Sequence, residues 1–394
     1  MRLLIVTNLY PPQELGGYGQ SLAEFGWGLK QLGHQISVLC NDASYLGPSG
    51  SGANGESVYR QLQLKGSFKG GVSLIKDPKI CCTINAHNSS VVNQLLEQQS
   101  FDGILLGNID LLGPELINSL IKPGIPVLHH VGFMEAPFLP QHFPNVKNYQ
   151  LIAASRAVRQ SLNNTGLPVQ NAAVVYPGAR VDLYGNHSAT PITSKLGSSS
   201  NPIKICFAGL LMASKGAHTL VEAAGELHHQ GITAQINLAG SEFQPGYLQQ
   251  LKQHAQQTGI KENFHWFGQL NRSKLSRFLS LHHIGVFPSI YPEAFGIVAA
   301  EIQASGLALV SSGVGGASEI FEHDVSGLQF LPGRADHLAS QLKRLVDDPM
   351  LLKTIRQNGQ QSVRTFFNVI ESAKQLEQLF HSSIDTPRQP ICFG

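Results

Sequence analysis

A chain of 394 residues with 42% apolar side chains is long enough for two globular domains, each able to bury a core of its own. Only 14% of its residues are charged and the net charge is +2, with both signs mixed along the chain, so the basic footprint of a nucleic-acid partner is missing. Five cysteines (Cys40, Cys81, Cys82, Cys206, Cys392) show no C-x-x-C spacing and fit reduced thiols. The apolar run at residues 3–6 is too short for a signal-peptide core, and no run nears the roughly 18 apolar residues of a membrane helix. The expectation is a soluble cytoplasmic protein, with peripheral membrane contact left open.

Residues 3–6 read as a β-strand covered on both faces. A polar, Gly/Pro-rich loop over 8–19 follows, then helical periodicity in Leu22, Phe25, Leu29 and Leu32, a stop at Gly33 and a second strand at 36–39. Strand, loop, helix and strand in this order build a doubly wound parallel sheet, whose ligand loops lie at the carboxyl ends of the strands. Gly16-Gly17-Tyr18-Gly19 stands in such a loop, where glycines let backbone N–H groups approach a phosphate at a helix start. Read alone, the same loop is an ordinary flexible turn, and it lacks the G-x-G-x-x-G of a dehydrogenase.

Residues 43–75 are rich in Gly and Ser and read as an insertion or surface loops. Further strands are expected at 103–106, 127–129, 151–154 and 173–175, with Ser155 capping a helix over 156–162. Asn108 ends the first of these strands and His129-His130 closes the second. Residues 187–201 have little to bury and read as a linker. A second alternation follows, with strands at 203–207, 234–238, 264–267, 284–287 and 308–310. Helices are expected at 217–229, 247–257, 271–280, 293–305 and 335–347. The last helical pattern, 351–380, breaks near 365–368. The organisation is therefore a first domain over 1–185, a linker over 186–200, a second domain over 201–365 and a final helix with tail over 366–394.

Two segments of the second half carry chemistry. Lys215 follows the strand at 203–207 and its Gly209 turn, and a lysine beside helix-start N–H groups makes an anion site. Tyr291–Glu301 reads Tyr-Pro-Glu-Ala-Phe-Gly-Ile-Val-Ala-Ala-Glu, placing Glu293 and Glu301 eight positions apart among small or apolar residues. Were all of it helical, they would stand roughly 12 Å apart, too far to attack one bond as glycosidase carboxyls do, and suited to gripping two ends of an elongated ligand. The plain alternative is two solvated helix carboxylates.

This stretch resembles the E-x7-E motif of the retaining glycosyltransferases of family 4 (group 1 type), which have the GT-B fold. The resemblance continues through Val310-Ser311-Ser312-Gly313-Val314-Gly315-Gly316-Ala317-Ser318-Glu319-Ile320, Val325-Ser326-Gly327-Leu328, Gly209-Leu210-Leu211-Met212-Ala213-Ser214-Lys215-Gly216 and the Gly16-Gly17 loop. It implies an α/β protein of two Rossmann-like domains facing a cleft, with the C-terminal helix crossing back to the first. It also implies transfer of a hexosyl group from a nucleoside-diphosphate sugar (UDP-, GDP- or ADP-linked) to an acceptor hydroxyl, with retention of configuration. The acceptor would be a small molecule, a glycan or a lipid-linked sugar.

By the same resemblance, Lys215 meets the diphosphate, Glu293 the sugar hydroxyls beside the Phe295-Gly296-Ile297 backbone, and Glu301 the ribose. Gly16, Gly17, Gly209, Gly315 and Gly316 supply backbone to the donor. A histidine near the strand end at 129–130 acts in many members; an ungapped match puts that position on Gly132, and His130 is taken ahead of His129. The arginine that follows the loop glycine in the family is Leu210 here. No D-x-D tripeptide is present, so no metal and no cofactor is expected. Two other readings compete: a non-hydrolysing epimerase or phosphorylase of the same architecture, and a non-catalytic sugar-nucleotide-binding protein, the latter motivated by Leu210 and by the histidine position that falls on Gly132.

Overall fold

The computed structural model describes residues 1–13, 15, 17, 19–50, 52, 54–187, 190–191 and 196–384. The chain divides into two compact units, Met1–Tyr176 with the chain from Ile370 on, and Pro177–Val369.

The first unit is built on β1 (Arg2–Val6), β2 (Gln35–Asn41) and β3 (Ser57–Leu62). A small antiparallel hairpin, β4 (Gly66–Ser67) and β5 (Ser73–Leu74), comes next, followed by β6 (Gly103–Leu106), β7 (Val127–Val131) and β8 (Tyr149–Ala153). The main sheet is wholly parallel in the order β3-β2-β1-β6-β7-β8. Leu3, Leu4, Ile5 and Val6 are fully buried, as a strand with helices on both faces requires. Helix Gln20–Gln31 contributes Leu22, Phe25 and Leu29 to one core, which Ala373, Leu376 and Phe380 of the terminal helix Val369–Ile384 complete. The final helix thus belongs to the first unit, as its apolar spacing of three and four residues prepares.

Two expectations change here. The stretch read as loops supplies β3, an edge strand whose Ser-Val-Tyr-Arg-Gln-Leu sequence is too polar to show a buried run. Residues 173–175 make a single bridge, Ala153 to Val174, and no strand; Pro177, two residues on, has no N–H to extend the pairing.

The second unit repeats the plan with β9 (Ile203–Ala208), β10 (Ala234–Ala239), β11 (Phe264–Trp266), β12 (Ile284–Phe287), β13 (Ala308–Ser311) and β14 (Leu328–Gln329). Its parallel order is β11-β10-β9-β12-β13-β14, the same 3-2-1-4-5-6 arrangement as in the first unit and that of the doubly wound dinucleotide-binding fold. The order reverses between β9 and β12, so the loops leaving those strands open into a crevice at their carboxyl ends. The core runs from Ile203, Ile205 and Phe207 through Leu220, Leu227, Ile236 and Leu238 to Leu342 and Leu352.

The second unit begins at Pro177, before the boundary at 185 read from sequence, because residues 179–184 are tied into it. Ala179 N–H donates to the Phe367 carbonyl at 2.7 Å, Ser276 Oγ donates to the Leu183 carbonyl at 2.8 Å, and Tyr184 is fully buried. Leu196, inside the expected linker, also sits in the second core. Among the described residues no helix is long and apolar enough to cross a membrane, and Cys40, Cys81, Cys82 and Cys206 are free thiols.

Candidate active site

The loops on either side of the β9/β12 reversal bring together the two second-unit residues picked as catalytic. Leaving β9, the chain turns at Gly209, whose N–H donates to the Ala239 carbonyl of β10 at 3.0 Å, and reaches a short 3-10 turn at Ala213–Lys215. Leaving β12, it carries Ser289 and then Glu293. Lys215 Nζ donates to Glu293 Oε1 at 2.7 Å, and Ser289 Oγ makes a short hydrogen bond to the same oxygen. Both partners are partly accessible, at 31% for the lysine side chain and 16% for the glutamate, so a ligand in the crevice can reach the pair.

The backbone that makes this pairing possible depends on two glycines. Gly216 has φ +70°, and a Cβ there would stand 1.9 Å from the Pro288 carbonyl oxygen; only a glycine lets the Lys215 turn pass the loop leaving β12. The Ile290 N–H donating to the Ser214 carbonyl at 2.8 Å holds the two loops in that contact. Gly315, with φ +63°, lies against Glu293 itself: a Cβ would stand 2.4 Å from the Glu293 carbonyl oxygen. The Gly316 N–H donates to that carbonyl at 2.7 Å and Glu293 N–H to the Val314 carbonyl at 3.2 Å. Gly316 thus spends its N–H on the Glu293 carbonyl, where the resemblance implied backbone offered to the donor.

Glu293 is not helical. The helix starts at Ile297 and ends at Ala304, four residues later than the expected start at 293, because Gly296 adopts φ 92° and Glu293 bridges to Gly315. The eight-residue spacing thus spans a loop and one turn of helix. Glu301 lies on that helix, nearly buried at 4% exposure, and accepts from Arg272 Nη2 at 3.3 Å. Arg272 opens helix Arg272–Ser280, capped by Asn271, and its guanidinium lies 5.8 Å from the centre of the Tyr184 ring. Neither carboxylate is therefore a freely solvated surface group. Phe295 is buried and packs against Phe367 with ring centres 6.0 Å apart, which leaves backbone as what this position can offer a ligand. Leu210 is half-buried.

The first-unit candidates have a different environment. His129 and His130 are each 1% exposed. His130 Nε2 donates to the Val175 carbonyl at 2.8 Å and its ring packs edge-on to Phe25, while His129 Nδ1 and the Tyr149 hydroxyl are 2.6 Å apart. Burial pulls the two imidazoles down to about 4 and about 3, respectively, so both are neutral at physiological pH. These rings are core groups in the structure as it stands. Gly16 lies outside the described residues; Gly17 is exposed, and its carbonyl accepts from Gln20 N–H at 3.3 Å.

Sequence reading missed Ser289, Arg272 and Arg60. Arg60 of β3 donates from Nη1 to the Tyr10 carbonyl and Gln13 Oε1, both at 3.1 Å, and from Nη2 to the Pro11 carbonyl at 2.8 Å. Tyr10 in turn donates to Glu56 Oε1 at 2.7 Å. Arg60 thereby anchors the start of the loop that carries Gly17. Arg60→Met, which keeps the stem and strips these donors from acceptors on the buried Tyr10 and Gln13 and the half-buried Pro11, is expected to destabilise the protein by about 1–3 kcal/mol, read as a lower urea midpoint at unchanged slope.

Residues 189–362 match the family model described as glycosyl transferases group 1. The second unit of this chain is thus similar to the group 1 glycosyl transferases over most of its length. An uncharacterized glycosyltransferase of Methanocaldococcus jannaschii is 24% identical over 407 residues, covering 98% of this chain and 99% of its own length. Among solved structures, a glycosyltransferase from Rickettsia africae superposes with a TM-score of 0.78 at 18% identity, over 98% of this chain and 99% of that one. Anabaena HepE in complex with UDP-glucose does so at 0.72 and 18%, over 97% and 100%. At these identities the structural likeness establishes the fold, the GT-B architecture with two parallel-sheet domains. The loops around Lys215, Glu293 and Glu301 all fall inside the matched segment.

Proposed function

We propose that the chain transfers a hexosyl group from a nucleoside-diphosphate sugar to an acceptor hydroxyl, with retention of anomeric configuration. The observation that carries this reading is the Lys215–Glu293 pair, a cation and a carboxylate 2.7 Å apart at the strand-order reversal of the second sheet. A departing diphosphate develops negative charge, and a preorganised ammonium at a helix start is suited to receive it. In this reading Lys215 holds the diphosphate and Glu293 the sugar hydroxyls. Glu301, oriented by Arg272, takes the ribose hydroxyls. The side chains hydrogen-bonded to the Glu293 carboxylate are those of Lys215 and Ser289, neither of them acidic, which suits front-face attack assisted by the leaving phosphate. That Anabaena HepE is seen with UDP-glucose supports a hexosyl donor.

We further propose that transfer needs no divalent metal and proceeds in the cytoplasm, since the sequence lacks a D-x-D and Lys215 supplies a positive charge to the leaving group. The test is purified full-length protein with UDP-, GDP- and ADP-hexoses and simple acceptors, with product configuration read by NMR. Transfer with retention that survives chelation is the expected result. Loss of all activity in chelator, restored by Mg²⁺ or Mn²⁺, contradicts metal independence; inverted product contradicts retention; nucleotide binding without transfer leaves only a donor-binding role.

A further inference from the structure

A second cavity, of about 560 Å³, lies within the second unit and takes no part in the site described above. One wall is helix Pro349–Phe366, from which Lys353, Arg356, Gln357, Gln360 and Arg364 face it at spacings of three, one, three and four residues, a single helical face. Gly185, Asn186, His187, Thr190 and Pro191 also line it. Among the described residues no carboxylate lines it. The charge bias extends further in the sequence: the 18-residue helix contains no Asp or Glu, and neither do residues 185–202.

Part of this wall has a structural duty. Arg356 Nε donates to the Gly306 carbonyl at 2.6 Å and its Nη1 to the Thr190 carbonyl at 2.9 Å, while Gln360 Nε2 donates to the Ala304 carbonyl at 3.1 Å. These two side chains close the carboxyl end of helix Ile297–Ala304, where unpaired carbonyls favour a cation. Lys353 and Arg364 have no such task. Neither side chain has a hydrogen-bond or ion-pair partner among the described residues, and both border the same cavity from opposite ends of the stripe. Among the described residues, three cations and His187 thus surround one concavity without a counter-charge, and burial already pulls the Arg356 guanidinium below the usual arginine range.

We propose that this cavity binds a phosphate-bearing anion, with Lys353 and Arg364 as its principal ligands and Arg356 as a fixed charge at its base. A phosphoryl group accepts from several donors at once and relieves the mutual repulsion of the three cations, which a neutral sugar does not. The anion is a phosphate monoester free in solution or the phosphate of a lipid headgroup; the two share the chemistry and differ in source.

The experiment uses the full-length protein and two variants, Lys353→Gln/Arg364→Gln and Gln357→Glu, the latter keeping every cation and adding a carboxylate to the wall. Thermal shift with glucose 6-phosphate and with inorganic phosphate tests the free ester. Co-flotation with phosphatidylcholine vesicles, with and without phosphatidylglycerol, tests the headgroup. The expected result is binding in one arm that weakens about tenfold or more in both variants, as lost charge-assisted contacts predict, while the stabilisation by nucleoside diphosphate stays as in the parent protein. That retained stabilisation shows that the variants fold. Absence of binding in both arms, or binding that both variants keep unchanged, overturns the proposal.

Discussion

Lys215→Ala is expected to weaken nucleoside-diphosphate binding by about ten- to a hundredfold, the loss of one charge-assisted contact of about 1.5–3 kcal/mol. The structure adds a second part to this loss. Lys215 is hydrogen-bonded to Glu293 at 2.7 Å, so removing it leaves a carboxylate, still held by Ser289, facing the anionic ligand without compensation. Lys215→Ala/Glu293→Gln should therefore bind the nucleotide better than Lys215→Ala alone, by a coupling on the order of 0.5–3 kcal/mol. Glu293→Gln by itself should leave free-nucleotide affinity nearly intact while lowering transfer and sugar-nucleotide affinity. Glu301→Gln, which discharges the carboxylate facing Arg272, should weaken free nucleotide and sugar nucleotide alike. Calorimetric titration of all four variants with nucleoside diphosphate and with sugar nucleotide separates these outcomes. If Lys215→Ala binds as the parent does, another cation neutralises the diphosphate; if the double variant is no better than Lys215→Ala, the pair is only a crevice contact.

Mild acid should destabilise the protein before most of its carboxylates titrate. Burial is the first cause in each of four histidines: His129 is pulled to about 3, and His130, His282 and His283 to about 4. For His283 the nearby Arg356 and Lys204 cations add to burial. In the unfolded chain each returns to about 6.5. Between these values the unfolded state binds protons that the folded state does not, so stability present above about pH 6.5 is lost progressively as the pH falls towards 4. At pH 5 the loss is on the order of 1–2 kcal/mol per histidine, and two belong to each unit, against a total stability of about 5–15 kcal/mol. Carboxylates held below their usual range, such as Asp42 by Gln13 and Asp182 by Arg180 despite its burial, contribute only lower, below about pH 4. Urea midpoints from pH 7.5 to 4.5 should thus decline steeply, and His130→Gln, which donates but cannot charge, should decline less steeply. A flat profile over this window would show that these rings accept protons without unfolding.

Much of the architecture was legible because it is local. Parallel strands covered on both faces appear as apolar runs, and nearly every expected strand and most helices of the second unit fall within a residue or two of their observed bounds. The candidate residues of the second unit could be picked for the same reason: Lys215-Gly216, Glu293 and Gly315-Gly316 stand in loops, and Glu301 in an otherwise apolar helix, where glycine or charge is conspicuous in residue type. What stayed hidden was set by which loops the sheet order makes neighbours. Lys215 and Glu293 are 78 positions apart, Arg60 and Tyr10 are 50 apart, and Arg272 and Glu301 are 29 apart; no periodicity links any of these pairs. The helix start moved from 293 to 297 because Gly315, on another strand's loop, takes Glu293 as a bridging partner. His129 and His130 looked like polar strand-end residues, and only the packing of Phe25, Tyr149 and Val175 around them decided that their rings are desolvated. Composition fixes which side chains can be buried or charged, but the 3-2-1-4-5-6 strand order decides which of them meet.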